Sequence, residues 1–242
     1  MAGHSKWKNI QHRKGAQDAK RGKIFTKIAK EITVAAKLGG EDPDANPRLR
    51  AAIIKGRAAS MPKDNIERAV KKGAGGTDGS EYLEKTYEGY GPSGVAIVVE
   101  CLTDNVNRTV GEVRHAFSRS GGNLGTDGSV SWMFHKKGNI VYTPDKVTNF
   151  DHFFELALEN GAEDVQDEDE VYEIVCQPEV FLELKDALDT KYEDPDVAEI
   201  TRIPENYVEL DSDKSTSLNK LIDWLEDLDD VQNVYHNAEL AD

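Results

Sequence analysis

Charge is divided along this chain so sharply that it limits how the chain can fold. Residues 1–75 hold 18 Lys+Arg against 7 Asp+Glu, a balance of +11. The remaining 167 residues hold 12 against 38, a balance of −26, and the two sum to the net −15 of all 242 residues. Blocks of opposite sign favour separate folded units with opposite surface potentials, and a net acidic total says little about what the basic block can bind.

The length exceeds one average domain and predicts two or three compact units. Hydrophobic residues at 38 % with 31 % charged describe a soluble globular chain with modest cores. No apolar run approaches the roughly 20 residues of a membrane span. The amino terminus, Met1-Ala-Gly-His-Ser-Lys-Trp-Lys, lacks the apolar stretch of a secretory signal, so the expected location is the cytoplasm. Cys101 and Cys176 lie in separate apolar runs without CxxC partners and read as buried, reduced thiols.

Residues 1 to about 18 are too polar and basic to nucleate a core and read as a mobile arm or irregular segment. From about Ala19 to Leu38 the period is helical: Ile24, Ile28, Ile32 and Ala35 share one face, and Lys20, Lys23, Lys27, Lys30 and Lys37 share the opposite one, interrupted by Val34. Gly39-Gly40 ends this helix. Asn46-Pro47 gives a second helix its N-cap and first-turn proline, and Leu49, Ala52, Ile53 and Gly56 face inward as far as about Ala59. Ser60-Met-Pro-Lys-Asp starts a third, with Ile66, Ala69 and Val70 inward, and Gly73 to Gly79 reads as a hinge or linker.

Beyond that linker Tyr82 to Tyr90 alternates, Val95 to Leu102 is an apolar strand, a helix opens at Asp104, and Val130 to Phe134 forms another strand, a β-β-α-β order. After Lys136-Lys-Gly138 come strand Asn139 to Tyr142, helix Phe150 to Asn160, strands near Glu163 to Val165 and at Val171 to Cys176, helix Val180 to Leu188 and a strand near Ala198 to Ile203. That is the β-α-β-β-α-β order of ferredoxin-like domains. A last strand Tyr207 to Leu210, helix Leu218 to Leu228 and strand Val231 to Tyr235 are too few to stand alone and are expected to return to the sheet of residues 82–134. The fold class is therefore α+β and multidomain: an N-terminal three-helix unit followed by two α/β-sandwich domains, the third (ferredoxin-like) inserted into the second. The expected boundaries are 1–77 for a basic helical domain with its arm, 78–135 plus 204–242 for a discontinuous α+β domain, and 136–203 for an acidic ferredoxin-like domain.

Gly89-Tyr-Gly-Pro-Ser-Gly94 matches the dinucleotide fingerprint letter for letter, yet it joins two strands, opens no helix, and loses a backbone donor at Pro92. It reads as a hairpin turn, and no cofactor is expected. The six histidines have no ligand spacing with each other or with the cysteines, so no metal is expected. No catalytic residue is assigned, and Asp167-Glu-Asp-Glu170 reads as a solvated turn. Asp104 reads as a helix N-cap. On the solvent face of the helix that follows, Arg108, His115 and Arg119 join the backbone NH groups and small hydroxyls of Gly121 to Ser129 in a surface suited to phosphate.

The basic block is the sharper candidate. Lys6, Trp7, Lys8, His12, Arg13, Lys14, Lys20, Arg21 and Lys23 put positive charge, an aromatic ring and hydrogen-bond donors into one stretch, continued along the helix by Lys27 and Lys30. Such segments track phosphate backbones and order on binding, with Trp7 able to stack on a base. With Arg108 and Arg119 these are the candidate nucleic-acid-binding residues. No helix-turn-helix with base-reading side chains is recognisable, so structured RNA fits at least as well as DNA.

Gly3-His-Ser-Lys-Trp-Lys-Asn-Ile, His12-Arg-Lys-Gly-Ala-Gln-Asp-Ala-Lys-Arg-Gly-Lys, Met61-Pro-Lys-Asp-Asn-Ile-Glu-Arg-Ala, Glu88-Gly-Tyr-Gly-Pro-Ser-Gly, Thr103-Asp-Asn-Val-Asn-Arg-Thr and Gly122-Asn-Leu-Gly-Thr-Asp-Gly-Ser-Val resemble the YebC family, over essentially the whole chain. The resemblance implies three domains, the last inserted in the middle one, and a DNA-binding transcriptional regulator. It also implies a link to translation, through a mitochondrial relative that activates synthesis of a cytochrome oxidase subunit and bacterial relatives tied to ribosomes stalled on proline-rich stretches. It supplies no catalytic residues. The expected function is a non-enzymatic cytoplasmic regulator of gene expression that binds nucleic acid, DNA or ribosomal RNA, with the ribosome as a candidate partner and no membrane or small-molecule cofactor. The rival classes are an acidic protein-interaction module without nucleic-acid contact and a hydrolase built around Asp104.

Overall fold

The computed structural model describes residues 22–76, 81–168 and 170–240. The described chain separates into two compact units, one of residues 22–23, 81–135 and 203–240 and the other of residues 24–76 and 136–202.

In the second unit, helix α1 (22–39, of which residues 22–23 belong to the first unit), α2 (Pro47–Ala58) and α3 (Lys63–Ala74) enclose Ile28, Ile32, Ala35, Leu49, Ala52, Met61, Ile66 and Ala69. Asn46 ties two of them together: its side chain accepts from Leu49 N at 3.1 Å to cap α2 and donates to the carbonyls of Ala35 in α1 (2.8 Å) and of Gly40 just beyond it (2.9 Å). The third helix starts at Lys63 and not at Ser60. Ser60 sits at φ 59, in the left-handed region, and Pro62 is extended, so neither can continue a helical turn. Gly73 is not part of a linker either. It lies in α3 where that helix crosses α1, and a Cβ there would sit 2.3 Å from the Thr33 carbonyl oxygen.

The same unit holds an antiparallel sheet in the order β5-β6-β4-β7, from β4 (Phe134–Tyr142), β5 (Ala162–Glu168), β6 (Val171–Cys176) and β7 (Val197–Pro204). Helices α5 (Phe150–Glu159) and α6 (Phe181–Asp189) cover one face through Phe153, Ala157, Phe181, Leu184 and Leu188. This is the ferredoxin-like arrangement, and it interrupts the other unit's sheet. The strand expected from Asn139 starts earlier, at Phe134, and β4 runs through Lys136-Lys-Gly138. Cys176 is buried here, and burial, with Glu163 nearby, pushes its thiol up to about 11.

The first unit contains β1 (Leu83–Tyr90), β2 (Ala96–Thr103), α4 (Val106–Arg119), β3 (Asn123–Leu124), β8 (Val208–Glu209), α7 (Ser212–Asp227), β9 (Val231–His236) and β10 (Ala238–Glu239). Its sheet order is β3-β1-β2-β9, so the C-terminal strand β9 does return to pair with β2. Strand β8 does not; it pairs in parallel with β10 in a separate two-stranded ladder. β2 opens with the apolar run Ala96–Val99 because both its faces are covered there. Val95, Ile97, Val99 and Cys101 meet Phe117 of α4 and Leu218 and Leu221 of α7, while Ala96 and Val98 meet Val130 and Phe134. The stretch Val130 to Phe134 is therefore a cover and not the expected strand. Residues Ser131–Met133 form a 3-10 turn, and the strand closing the β-β-α-β order is the short β3, with Gly89 opposite Leu124.

The glycines of the GxGxxG match serve this packing. β1 and β2 pair up to Tyr90 and Ala96 across the turn, and a Cβ at Gly89 would lie 2.4 Å from the Asn123 carbonyl oxygen, closing off β3.

Candidate nucleic-acid interface

Of the candidate residues, Lys6, Trp7, Lys8, His12, Arg13, Lys14, Lys20 and Arg21 lie outside the described residues. Lys23 is half exposed, with Nζ 3.3 Å from a carboxylate oxygen of Asp227. Lys27 and Lys30 are partly buried on α1. The lysine face is interrupted: Ile32, Thr33, Val34, Ala35 and Ala36 are all buried, so this stretch of α1 is enclosed, and Lys37 beyond it is exposed. The crossing at Gly73 accounts for part of this, and the Thr33 hydroxyl there lies 3.2 Å from the Ala69 carbonyl oxygen.

Three of the four cations of α2 are committed to carboxylates of the same unit, and the fourth, Arg57, is exposed. Arg48 donates to both carboxylate oxygens of Glu31 on α1, at 2.7 and 3.2 Å. Arg50 pairs with Asp186 of α6, and Lys55 Nζ lies 3.0 Å from Glu199 of β7, flanking Ala51 and Ile54 where they pack against the ferredoxin-like core. On α3, by contrast, Lys63, Arg68 and Lys71 are exposed. Asp64 and Glu67 on the same helix dilute their charge pattern in the sequence, and Lys63 pairs weakly with Glu67 at 3.6 Å.

On α4 the cap is Asn105, whose side chain accepts from Arg108 N at 3.0 Å, and not Asp104. Asn105 is held for this by its own N–H, which donates to the Thr103 hydroxyl at 2.9 Å. Asp104 instead accepts from the Arg108 guanidinium at 2.8 Å. The same guanidinium donates to buried Asp230 at 2.6 Å, and Thr103 and Thr109 hydroxyls donate to the same Asp230 oxygen at 3.2 and 2.8 Å. Hydrogen bonds to Asp230 and then Asp104 raise the Arg108 pKa further above its ordinary value. Arg108 is thus balanced by two carboxylates. Arg119, in the last turn of α4, is exposed, and the His115 ring stands edge-on to Trp224 with centroids 5.4 Å apart.

The loop after α4 already encloses an anion of the chain itself. The buried Glu88 carboxylate accepts from the backbone N–H of Gly128 (2.9 Å), Val130 (2.9 Å) and Ser131 (2.8 Å), and its own carbonyl accepts from Gly125 N at 2.7 Å. Burial alone would push this carboxyl up, but the three backbone donors outweigh it and hold the pKa below its ordinary value. The NH groups expected to meet phosphate at Gly128 are therefore occupied. No sequence signal singled out Glu88, whose role depends on a loop 40 residues away closing over it.

What the fold and this surface define is a multidomain α+β protein with a cationic helical unit ahead of acidic sandwich domains. No helix among the described residues is long and apolar enough to cross a membrane. The chain belongs to the TACO1/YebC family: residues 5–76 match the TACO1/YebC protein N-terminal domain and residues 82–238 the TACO1/YebC second and third domain. A probable transcriptional regulatory protein of Geobacter sulfurreducens is 57% identical over 241 residues, covering 100% of this chain and 97% of the relative. One of Idiomarina loihiensis, with the same description, is 58% identical over 243 residues with the same coverage. The crystal structure of a conserved hypothetical protein from Aquifex aeolicus superposes with a TM-score of 0.80 at 46% identity, covering 93% of each chain.

Proposed function

We propose that the protein is a cytoplasmic regulator of gene expression that grips nucleic acid phosphates with its basic N-terminal block and needs no catalytic step. The observation that carries this is the charge division, +11 over residues 1–75 against −26 beyond. The grip is assigned to the segment before α1, to Lys23, Lys27 and Lys30 along α1, and to the exposed cations Arg57 of α2 and Lys63, Arg68 and Lys71 of α3, whereas Arg48, Arg50 and Lys55 are held by carboxylates. Arg119 is a peripheral contributor. The acidic domains repel the same polyanion and so orient the molecule on it. The relatives' description as probable transcriptional regulators supports the regulatory role. Binding of this kind is electrostatic and weakly sequence-specific, which suits ribosomal RNA as well as duplex DNA.

The experiment that tests it is co-sedimentation with purified ribosomes at physiological salt, with excess duplex DNA as competitor, for the full chain and a variant lacking residues 1–22. Pelleting of the full chain alone makes ribosomal RNA the partner, and release by the competitor makes duplex DNA the partner. Equal pelleting of both variants, untouched by competitor, overturns the proposal.

A further inference from the structure

The ferredoxin-like sheet has an open edge with a second chemical character. Among the described residues β5 is an end strand, paired on one side only, with β6. Above it, α5 buries Phe153 and Ala157. At 100° per residue, Phe154 and Leu158 lie about 80° and about 120° round from that buried direction. In a right-handed β4-α5-β5 crossover this rotation points away from α6 and out over β5. Both side chains are open to solvent, Phe154 at 38% and Leu158 at 43%, and the Phe150 ring joins them to the core, with centroids 6.0 Å from Phe154 and 4.7 Å from Tyr172. The result is an apolar shelf overhanging an unpaired strand edge.

Its electrostatics select the partner. Residues 150–170 contain nine carboxylates and no lysine or arginine. Asp151 and Glu155 are exposed on the outer side of α5, and Asp164 and Asp167 on β5 itself. Such a field repels nucleic acid and a second copy of the same edge, and it attracts a cationic chain. We propose that the β5 edge and the Phe154–Leu158 shelf dock an extended lysine- or arginine-rich segment of a protein partner by strand addition. The main chain of β5 supplies the ladder, apolar side chains of the added strand cover the shelf, and its cations, on the opposite face, meet Asp164 within the field to which Asp167 also contributes. The irregularity between Ala162 and Asp164 confines regular pairing to Asp164–Glu168. This surface is separate in sign and in partner from the nucleic-acid grip.

The probe is a fluorescein-labelled octapeptide of alternating lysine and valine, with alternating glutamate and valine as control. Both are titrated into the full chain by anisotropy, with backbone hydrogen exchange recorded on the complex. The expected result is salt-sensitive binding of the lysine peptide alone and slowed exchange in β5. At least tenfold weakening is expected in Phe154→Ser/Leu158→Ser and, independently, in Asp164→Lys/Asp167→Lys, with unchanged circular dichroism. No binding of the lysine peptide, protection confined to other segments, or affinity unmoved in both folded variants would overturn the docking site. So would protection of the same β5 amides by an RNA hairpin.

Discussion

Arg108 and Asp230 are 122 positions apart in sequence, and their side chains meet at 2.6 Å, with the carboxylate buried and the guanidinium at its rim. The contact joins the start of α4 to the turn before β9, on either side of the inserted ferredoxin-like unit. Asp230→Ala would remove the buried anion on which Arg108, Thr103 and Thr109 converge. Urea denaturation should show a loss of about 1–3 kcal/mol. Arg108→Gln should lower the denaturation midpoint and change affinity for a labelled RNA hairpin by less than about twofold, since its charge is already balanced. A large loss of affinity with unchanged stability would restore Arg108 as a phosphate contact.

Glu88 gives the fold a pH dependence whose sign is fixed. Its folded pKa lies below the ordinary 4.5, so the native state favours the carboxylate. The stability it contributes is present above the ordinary value and is lost as pH falls through the lowered folded value. Glu88→Gln turns an amide NH2 toward backbone donors and should cost about 1–3 kcal/mol at pH 7. Denaturation curves from pH 7 down to about 3 should show wild type and variant converging on the acid side. Parallel curves would show that the carboxylate charge is not what the loop closes on.

Two glycines, both helical, should respond oppositely to alanine. A Cβ at Gly73 would lie 2.3 Å from the Thr33 carbonyl oxygen, so Gly73→Ala should force α1 and α3 apart at about 1–3 kcal/mol, more than its helix propensity returns. At Gly111 nothing lies within 4 Å, and Gly111→Ala should stabilise α4 by up to about 1 kcal/mol. Thermal melts of the two variants should move in opposite directions.

Regular packing was readable from the sequence because it is periodic. The inward faces of α1, α2 and α3, the apolar strand β2 and the β-α-β-β-α-β order follow from spacing that each element carries within itself. Misreadings cluster where a non-local contact decides the conformation. Val130 to Phe134 has strand composition but covers a sheet face, and Asn105 displaces Asp104 as cap because the latter is drawn to Arg108. The candidate interface was legible as charge but not as availability. Which cations are spent depends on Glu31, Asp186, Glu199 and Asp230, and no local pattern connects these to Arg48, Arg50, Lys55 and Arg108.

The central claim is that the basic amino-terminal block holds a polyanion through its phosphates. The most direct test is the affinity of the full chain and of a variant lacking residues 1–22 for a labelled 20-base-pair duplex and a labelled RNA hairpin, measured across salt concentration. If six to eight phosphates are neutralised on the duplex, log K against log salt should fall with a slope of roughly −5 to −7, and the truncation should remove most of both slope and affinity. Equal slopes and affinities in the two proteins, or a slope near zero in the full chain, would contradict the claim.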